Sequence, residues 1–276
     1  MNNRLLQASD IIDKYDLFLI DIWGVLLEEL EPYPNVANTL NWISERKTLC
    51  FLSNTPRLRP AVQKRLADTG VNITENRIYT AGETAAKILS ESQKYLSIAQ
   101  PKIYYLSDPK FADSYSDINL NTVDRLEEAN ILLITAMIEE GEDLTKYDEI
   151  LDRAAALGIT CLCSNPDTII PANGKIRYCP GYIVRNYKGK LIYSGKPYKD
   201  IFEMALTDYP DIPKDRILMV GDTIETDILG AKNAGIESAL VHTGNAANIF
   251  TETNGNIETI RSKLPIAPSI FLTLSC

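Results

Sequence analysis

Short apolar runs alternate with helix-spaced segments along nearly the whole chain. Phe18-Leu19-Ile20, Leu49-Cys50-Phe51-Leu52, Ile103 to Leu106, Ile131 to Thr135, Ile159 to Cys163, Leu191-Ile192-Tyr193, Ile217-Leu218-Met219-Val220 and Ser238 to Val241 have the length and β-branched or aromatic content of buried strands. Between them lie helical patterns. Asn35 to Arg46 carries Val36, Leu40 and Ile43 on one face, with Pro34 just ahead as a start signal. Pro60 to Asp68, Leu144 to Leu157 and Ile224 to Ala234 read as helices stopped by Gly70, Gly158 and Gly235. Strands alternating with helices predict an α/β protein built from βαβ units around parallel sheets. The polar run Thr251 to Asn256 reads as a surface loop, and Ile266 to Leu274 as a final core segment.

Bulk properties narrow the function. The chain has 276 residues, enough for one large domain or two smaller ones. A net charge of −9 argues against nucleic acid, which needs a basic footprint, and against an anionic membrane surface. No run approaches the roughly 18 apolar residues of a membrane span. Met1 to Ile12 lacks a basic-then-apolar signal pattern, so the expected location is cytoplasmic. Cys50, Cys161, Cys163, Cys179 and Cys276 are an odd set, expected to be free thiols in packing positions. Cys161-Leu162-Cys163 has the wrong spacing for a structural zinc pair, and the chain holds a single histidine, His242.

Four apolar runs end on chemistry. Phe18-Leu19-Ile20 ends on Asp21, followed by Ile22-Trp23-Gly24, and Leu49 to Leu52 ends on Ser53-Asn54. Leu191-Ile192-Tyr193 leads through Ser194-Gly195 to Lys196, and Ile217 to Val220 leads to Gly221-Asp222, with Asp227 five residues on. Open α/β sheets place their chemistry at the carboxyl ends of strands, and a carboxylate there can serve as a nucleophile. Each residue alone has a plainer reading: Asp21 as a turn residue, Asp222 as a helix cap, Ser53-Asn54-Thr55-Pro56 as turn chemistry, Lys196 as a solvated lysine. His242, between a strand and Gly244, reads more readily as a structural histidine than as a switch.

Taken in order, Asp21, Ser53, Lys196 and the Asp222/Asp227 pair resemble the four motifs of the haloacid dehalogenase (HAD) superfamily. The α/β pattern between Ser53 and Lys196 resembles the inserted cap of its class IIA branch, the group of NagD-like and 4-nitrophenyl phosphatase-like hydrolases. The resemblance implies a doubly wound parallel-sheet core from residues 1–81 and 188–276, with an inserted α/β cap at 82–187. It implies hydrolysis of a small phosphorylated metabolite through an aspartyl-phosphate on Asp21. Mg²⁺ would be held by Asp21, the Trp23 backbone carbonyl and Asp222, with Asp227 supporting the shell. Ser53 and Asn54 would bind phosphate, and Lys196 would offset charge. If the three carboxylates converge, charge balance itself calls for a cation. The resemblance also implies cytoplasmic location and, for some members, a homo-oligomer.

Trp23 departs from the pattern, which has at that position an Asp that protonates the leaving oxygen. An indole N–H only donates. Glu28, Glu29 and Glu31, just after the Gly24 turn, are the candidate replacements. Two other readings follow: a binding or regulatory protein that turns over slowly, and carbon–halogen cleavage, which the retained Asp222 and Asp227 disfavour. Asn165-Pro166-Asp167 resembles the Asn-Pro-Asp segment of class IIA and is a turn by composition. Arg177, Tyr178, Tyr182 and Arg185 stand near the return to the core, as substrate contacts or as a solvated face.

Overall fold

The computed structural model describes residues 4–28, 31–172 and 175–274. Glu29 and Cys276, both singled out in the sequence, lie outside the described residues. The chain divides into two compact units. The first comprises Met1–Ser53, Arg59–Tyr79 and Lys196–Cys276, and the second Asn54–Leu58 and Thr80–Gly195.

The first unit is built on a seven-stranded sheet in the order Leu6–Gln7, Ile270–Thr273, Glu237–Val241, Ile217–Gly221, Leu17–Ile20, Thr48–Ser53, Ile78–Thr80. The pairings among the first six strands are all parallel. Alternate side chains leave a strand on opposite faces. Phe18, Ile20, Leu49, Phe51, Leu218 and Val220 therefore join one buried cluster, while Leu17, Leu19, Cys50, Leu52, Ile217 and Met219 join another. Because both faces are covered, these strands read as unbroken apolar runs. The helix Val36–Ser44 turns Val36, Leu40 and Ile43 into the first cluster, and Lys199–Thr207 turns Ile201, Phe202 and Ala205 into the second.

The second unit carries a four-stranded parallel sheet ordered Leu191–Tyr193, Thr160–Cys163, Ile131–Thr135, Ile103–Ser107. It too is covered on both faces: Leu132, Ile134 and Cys161 enter one cluster, Ile131, Leu133 and Leu162 another. The helix Thr145–Ala156 contributes Leu151 and Ala154 to the first, and Ala81–Ser90 contributes Ala85, Ile88 and Leu89 to the second. A separate three-stranded antiparallel sheet joins Ile169–Ala172, Lys175–Tyr178 and Ile138–Glu139. Where the sequence pattern places the change of unit at 82 and 187, the contacts place it at 80 and 195. The reason is that Leu191–Tyr193 pairs with Thr160–Cys163 and so belongs to the second sheet.

The doubly wound parallel core with an inserted α/β cap is thus the architecture of the chain. Two local elements differ from expectation. The run Thr251 to Asn256 is not all loop: the helix Ala247–Glu252 includes its first two residues, held down by buried Phe250. Asn256 then caps the helix Ile257–Lys263, its side chain accepting from the Thr259 N–H at 2.9 Å. The expected helix from Ile224 begins as a wide π-type turn over Ile224–Ile228, with the Ile228 N–H reaching the Thr223 carbonyl at 3.3 Å, before Leu229–Ala234 continues as α-helix. Cys50, Cys161, Cys163 and Cys179 are free and buried. Among the described residues no helix is long and apolar enough to cross a membrane.

Gly221 closes the strand Ile217–Gly221, and a Cβ built on it would sit 2.1 Å from the Asp227 Cγ. Substitution Gly221→Ala should therefore displace the Asp227 carboxylate and destabilise the first unit by about 1–3 kcal/mol. Denaturant titration checks this; an unchanged midpoint would show that the wide turn yields without strain.

Candidate active site

The strand Leu17–Ile20 is the point from which the sheet is built in both directions. Thr48–Ser53, next in sequence, pairs on one side, and Ile217–Gly221, from the far end of the chain, on the other. The strand order reverses direction there, the position at which ligands bind in such sheets. Asp21 is the first residue past that strand, and its N–H donates to the Val220 carbonyl at 2.9 Å. Asp222 follows Gly221 on the neighbouring strand. The wide turn at Ile224–Ile228 brings Asp227 back to the same place, as π-type turns often do at functional sites.

Asp21, Asp222 and Asp227 each present a carboxylate oxygen within 4.8 Å of the others. Lys196 Nζ lies 2.7 Å from Asp21 Oδ1 and 2.7 Å from Asp227 Oδ1. All four side chains are buried, Lys196 to within 1% of full coverage. Asp227 Oδ2 accepts the N–H groups of Asp222 and Thr223, each at 3.1 Å. With Lys196 on its other oxygen, Asp227 is heavily engaged by protein donors. Among the described residues, Asp222 accepts from the Thr223 hydroxyl and the Asn245 N–H, both neutral donors.

Three carboxylates thus face one ammonium. Burial pushes the Asp21 carboxyl well above its ordinary value; Lys196 pulls it down, while Asp227 and Asp222 raise it further. Burial, reinforced by the Asp227 charge, carries Asp222 up to about 7. For Lys196, burial favours the neutral amine, yet Asp21 and Asp227 outweigh it and hold the ammonium above its ordinary range. An all-oxygen cluster with surplus negative charge is the donor chemistry that suits a hard divalent cation.

Gly24 makes this approach feasible. Its φ is +81°, a left-handed conformation that glycine adopts freely, and a Cβ there would lie 2.1 Å from Asp222 Oδ2. Trp23, one residue earlier, is partly buried and packs against the adjoining hydrophobic cluster.

Ser53 is buried at the end of the strand adjacent to Asp21. Asn54 belongs to the second unit, where its side-chain N–H donates to Asp167 Oδ1 at 2.8 Å, and Asn165 Oδ1 accepts from the Asp167 N–H at 2.9 Å. The Asn165-Pro166-Asp167 turn is therefore hydrogen-bonded within its own unit. Also there, Arg177 pairs with Glu139, Tyr178 and Tyr182 stack at 4.4 Å, and Arg185 lies 3.6 Å from the Tyr182 ring centre. Glu28 and Glu31 are exposed and face each other across the hairpin Leu27–Glu28/Glu31–Pro32. His242 sets its ring edge-on to Phe250, 6.0 Å between centres. The sequence reading did not single out Thr223, Thr243 or Asn245, which contact the site; the turn-prone Thr-Gly-Asn after a strand was the available signal.

An α/β chain of two units, one with convergent carboxylates and a lysine at a switch point, defines a class, and comparison with known proteins places it. A family described as haloacid dehalogenase-like hydrolase matches residues 18–121, and one described as HAD-hydrolase-like matches 193–263. The chain is 23% identical to a 4-nitrophenylphosphatase of Schizosaccharomyces pombe, over 96% of this chain and 94% of that protein. It is 26% identical to the ribonucleotide monophosphatase NagD of Escherichia coli, over 82% and 87%. A solved haloacid dehalogenase-like hydrolase from Brucella suis shares the fold at a TM-score of 0.77, with 24% identity over 99% and 98% of the two chains. The chain belongs to the haloacid dehalogenase superfamily, in its class IIA branch.

The raised carboxyls fix a pH dependence. A carboxyl whose pKa is higher folded than unfolded stabilises the fold when protonated, and that contribution is lost as pH rises through the folded value. For Asp222 the loss builds up as pH rises from the ordinary carboxylate value and is complete once pH passes about 7. With chelator present, Asp222→Asn should therefore melt higher than the unsubstituted protein at about pH 8, the gap narrowing as pH falls below about 7 and closing towards about pH 4. A gap that is constant with pH would overturn the assignment.

Proposed function

We propose that the chain is a Mg²⁺-dependent phosphatase of small phosphate monoesters, with Asp21 as nucleophile. The observation that carries this is the buried Asp21–Asp222–Asp227 cluster bridged by Lys196 at 2.7 Å from two of its members. Both curated relatives named above are phosphatases by name, which supports the same reaction class here. Asp21 would attack phosphorus in line, breaking the ester P–O bond and forming an aspartyl-phosphate. Water would then cleave that acyl-phosphate, releasing inorganic phosphate and regenerating the carboxylate. Lys196 keeps Asp21 oriented and partly neutralised. Ser53 and Asn54 are the proposed phosphate contacts. Asp21, the Trp23 carbonyl and Asp222 would hold Mg²⁺, with Asp227 behind them. When bound, the ion supplies the positive charge that lets an anionic nucleophile meet an anionic phosphate.

The leaving oxygen needs a proton that Trp23 cannot provide. Glu28 and Glu31 are exposed on their hairpin, so water is an equal source. The rate should consequently depend steeply on leaving group. Phosphate release from 4-nitrophenyl phosphate should require Mg²⁺ and vanish in Asp21→Asn. Trp23→Asp should accelerate alkyl phosphates by about 10²–10⁴-fold while changing 4-nitrophenyl phosphate much less. The indole also favours a second reading, a phosphate-binding protein with a regulatory role. Mg²⁺-dependent binding of a phosphorylated ligand without phosphate release, from folded protein, would select it. Halide release from haloacids without metal would instead select carbon–halogen cleavage.

A further inference from the structure

Asp222 is held by a closed ring of hydrogen bonds that no catalytic role accounts for. The Asn245 backbone N–H donates to Asp222 Oδ2 at 2.6 Å. The Asn245 side-chain amide donates to Thr223 Oγ1 at 2.7 Å, and the Thr223 hydroxyl donates onward to Asp222 Oδ1 at 3.0 Å. Each carboxylate oxygen therefore has one donor, and both donors trace back to a single residue. A hydroxyl has one proton and two lone pairs, so Thr223 fills both roles in this chain without conflict. The ring fixes the rotation of the Asp222 carboxylate about its own side chain.

The turn that supplies Asn245 is itself tied to the nucleophile loop. The Thr243 hydroxyl donates to the Gly24 carbonyl at 2.6 Å, and the Gly244 N–H donates to the Tyr33 hydroxyl at 3.2 Å. Gly244 has φ +56°, and a Cβ on it would lie 2.1 Å from Asp222 Oδ2 and 2.5 Å from the Gly24 Cα. Two glycines from distant parts of the chain thus wall the same carboxylate oxygen, and no side chain fits at either position.

We infer that Thr223 and Asn245 are positioning residues that pre-set Asp222 for the divalent cation, acting through its two oxygens without touching substrate. This rests on the phosphatase reading above. Partners of ligating carboxylates commonly change metal affinity by about 10–100-fold when removed. Asn245 is exposed, so its truncation leaves the core intact, and Thr223→Val keeps the shape while deleting the hydroxyl.

The test is Mg²⁺ titration by calorimetry, and by the Mg²⁺-induced rise in melting temperature, for the unsubstituted protein, Asn245→Ala, Thr223→Val, the double variant and Thr223→Ser. Asn245→Ala and Thr223→Val should each weaken Mg²⁺ binding by about tenfold or more, with the metal-free melting temperature little changed. Because they lie in one ring, the double variant should be scarcely worse than either single. Thr223→Ser should restore affinity. KM for 4-nitrophenyl phosphate at saturating Mg²⁺ should stay constant. If the unsubstituted protein binds Mg²⁺ and the single variants bind it equally well, this inference fails and the phosphatase reading stands. If the unsubstituted protein binds no Mg²⁺, both fail together.

Discussion

Three buried carboxylates gathered around one ammonium are the constraint on which the first unit turns. Burying a charge is costly unless it is paired, and here one lysine is shared between two of three acids. The surplus negative charge is met by local means: backbone N–H groups on Asp227, neutral donors on Asp222, and raised proton affinity at Asp21 and Asp222. A fold selected for stability alone would replace such a cluster with apolar side chains of similar volume. The cluster is therefore a cost to the fold that a site for a cation would offset.

The architecture makes that convergence possible. Parallel strands present all their carboxyl ends on one edge, so residues remote in sequence meet without long loops. Asp21 and Asp222 follow neighbouring strands remote in sequence, and Lys196 reaches Asp21 from the start of the last segment of the unit. Close approach then demands the absence of side chains at selected points. Gly24, Gly221 and Gly244 each stand where a Cβ would lie 2.1 Å from an atom of Asp222 or Asp227. Asp227 lies one turn on from Thr223, its own N–H donating to the Thr223 carbonyl at 3.0 Å, and its carboxylate folds back onto the Asp222 and Thr223 N–H groups.

How much of this was legible follows from the physics of each element. Strands buried on both faces announce themselves as unbroken apolar runs, so Leu17–Ile20, Ile131–Thr135 and Ile217–Gly221 were readable to within a residue or two. Asp21, Asp222, Asp227 and Lys196 were readable as strand-end residues, though their meeting depends on contacts that no local pattern encodes. The antiparallel sheet of Ile169–Ala172 and Lys175–Tyr178 was missed, because Pro171 and flanking polar residues blur the alternation. The Asn173-Gly174 dipeptide between those strands was the signal left unused. The Thr223–Asn245 ring was out of reach: its members are ordinary turn residues whose partners are chosen by tertiary approach.

Trp23 is best understood by separating what a residue offers through its backbone from what it offers through its side chain. The Trp23 carbonyl belongs to the turn set by Gly24 and is independent of the indole, so any ligand role for it survives this residue type. The indole instead adds apolar contact to the neighbouring cluster, which also contains Val25, Leu26 and Leu27. The substitution therefore leaves the charge architecture of Asp21, Asp222, Asp227 and Lys196 intact and removes only a proton donor and acceptor. On the phosphatase reading, attack on phosphorus relies on charge and position, which the Asp21, Asp222, Asp227 and Lys196 cluster would supply. Departure of a basic leaving group and activation of water rely on proton transfer, which the site lacks at that position. On the phosphatase reading proposed above, an indole at this one position would favour substrates whose leaving groups are already stable anions.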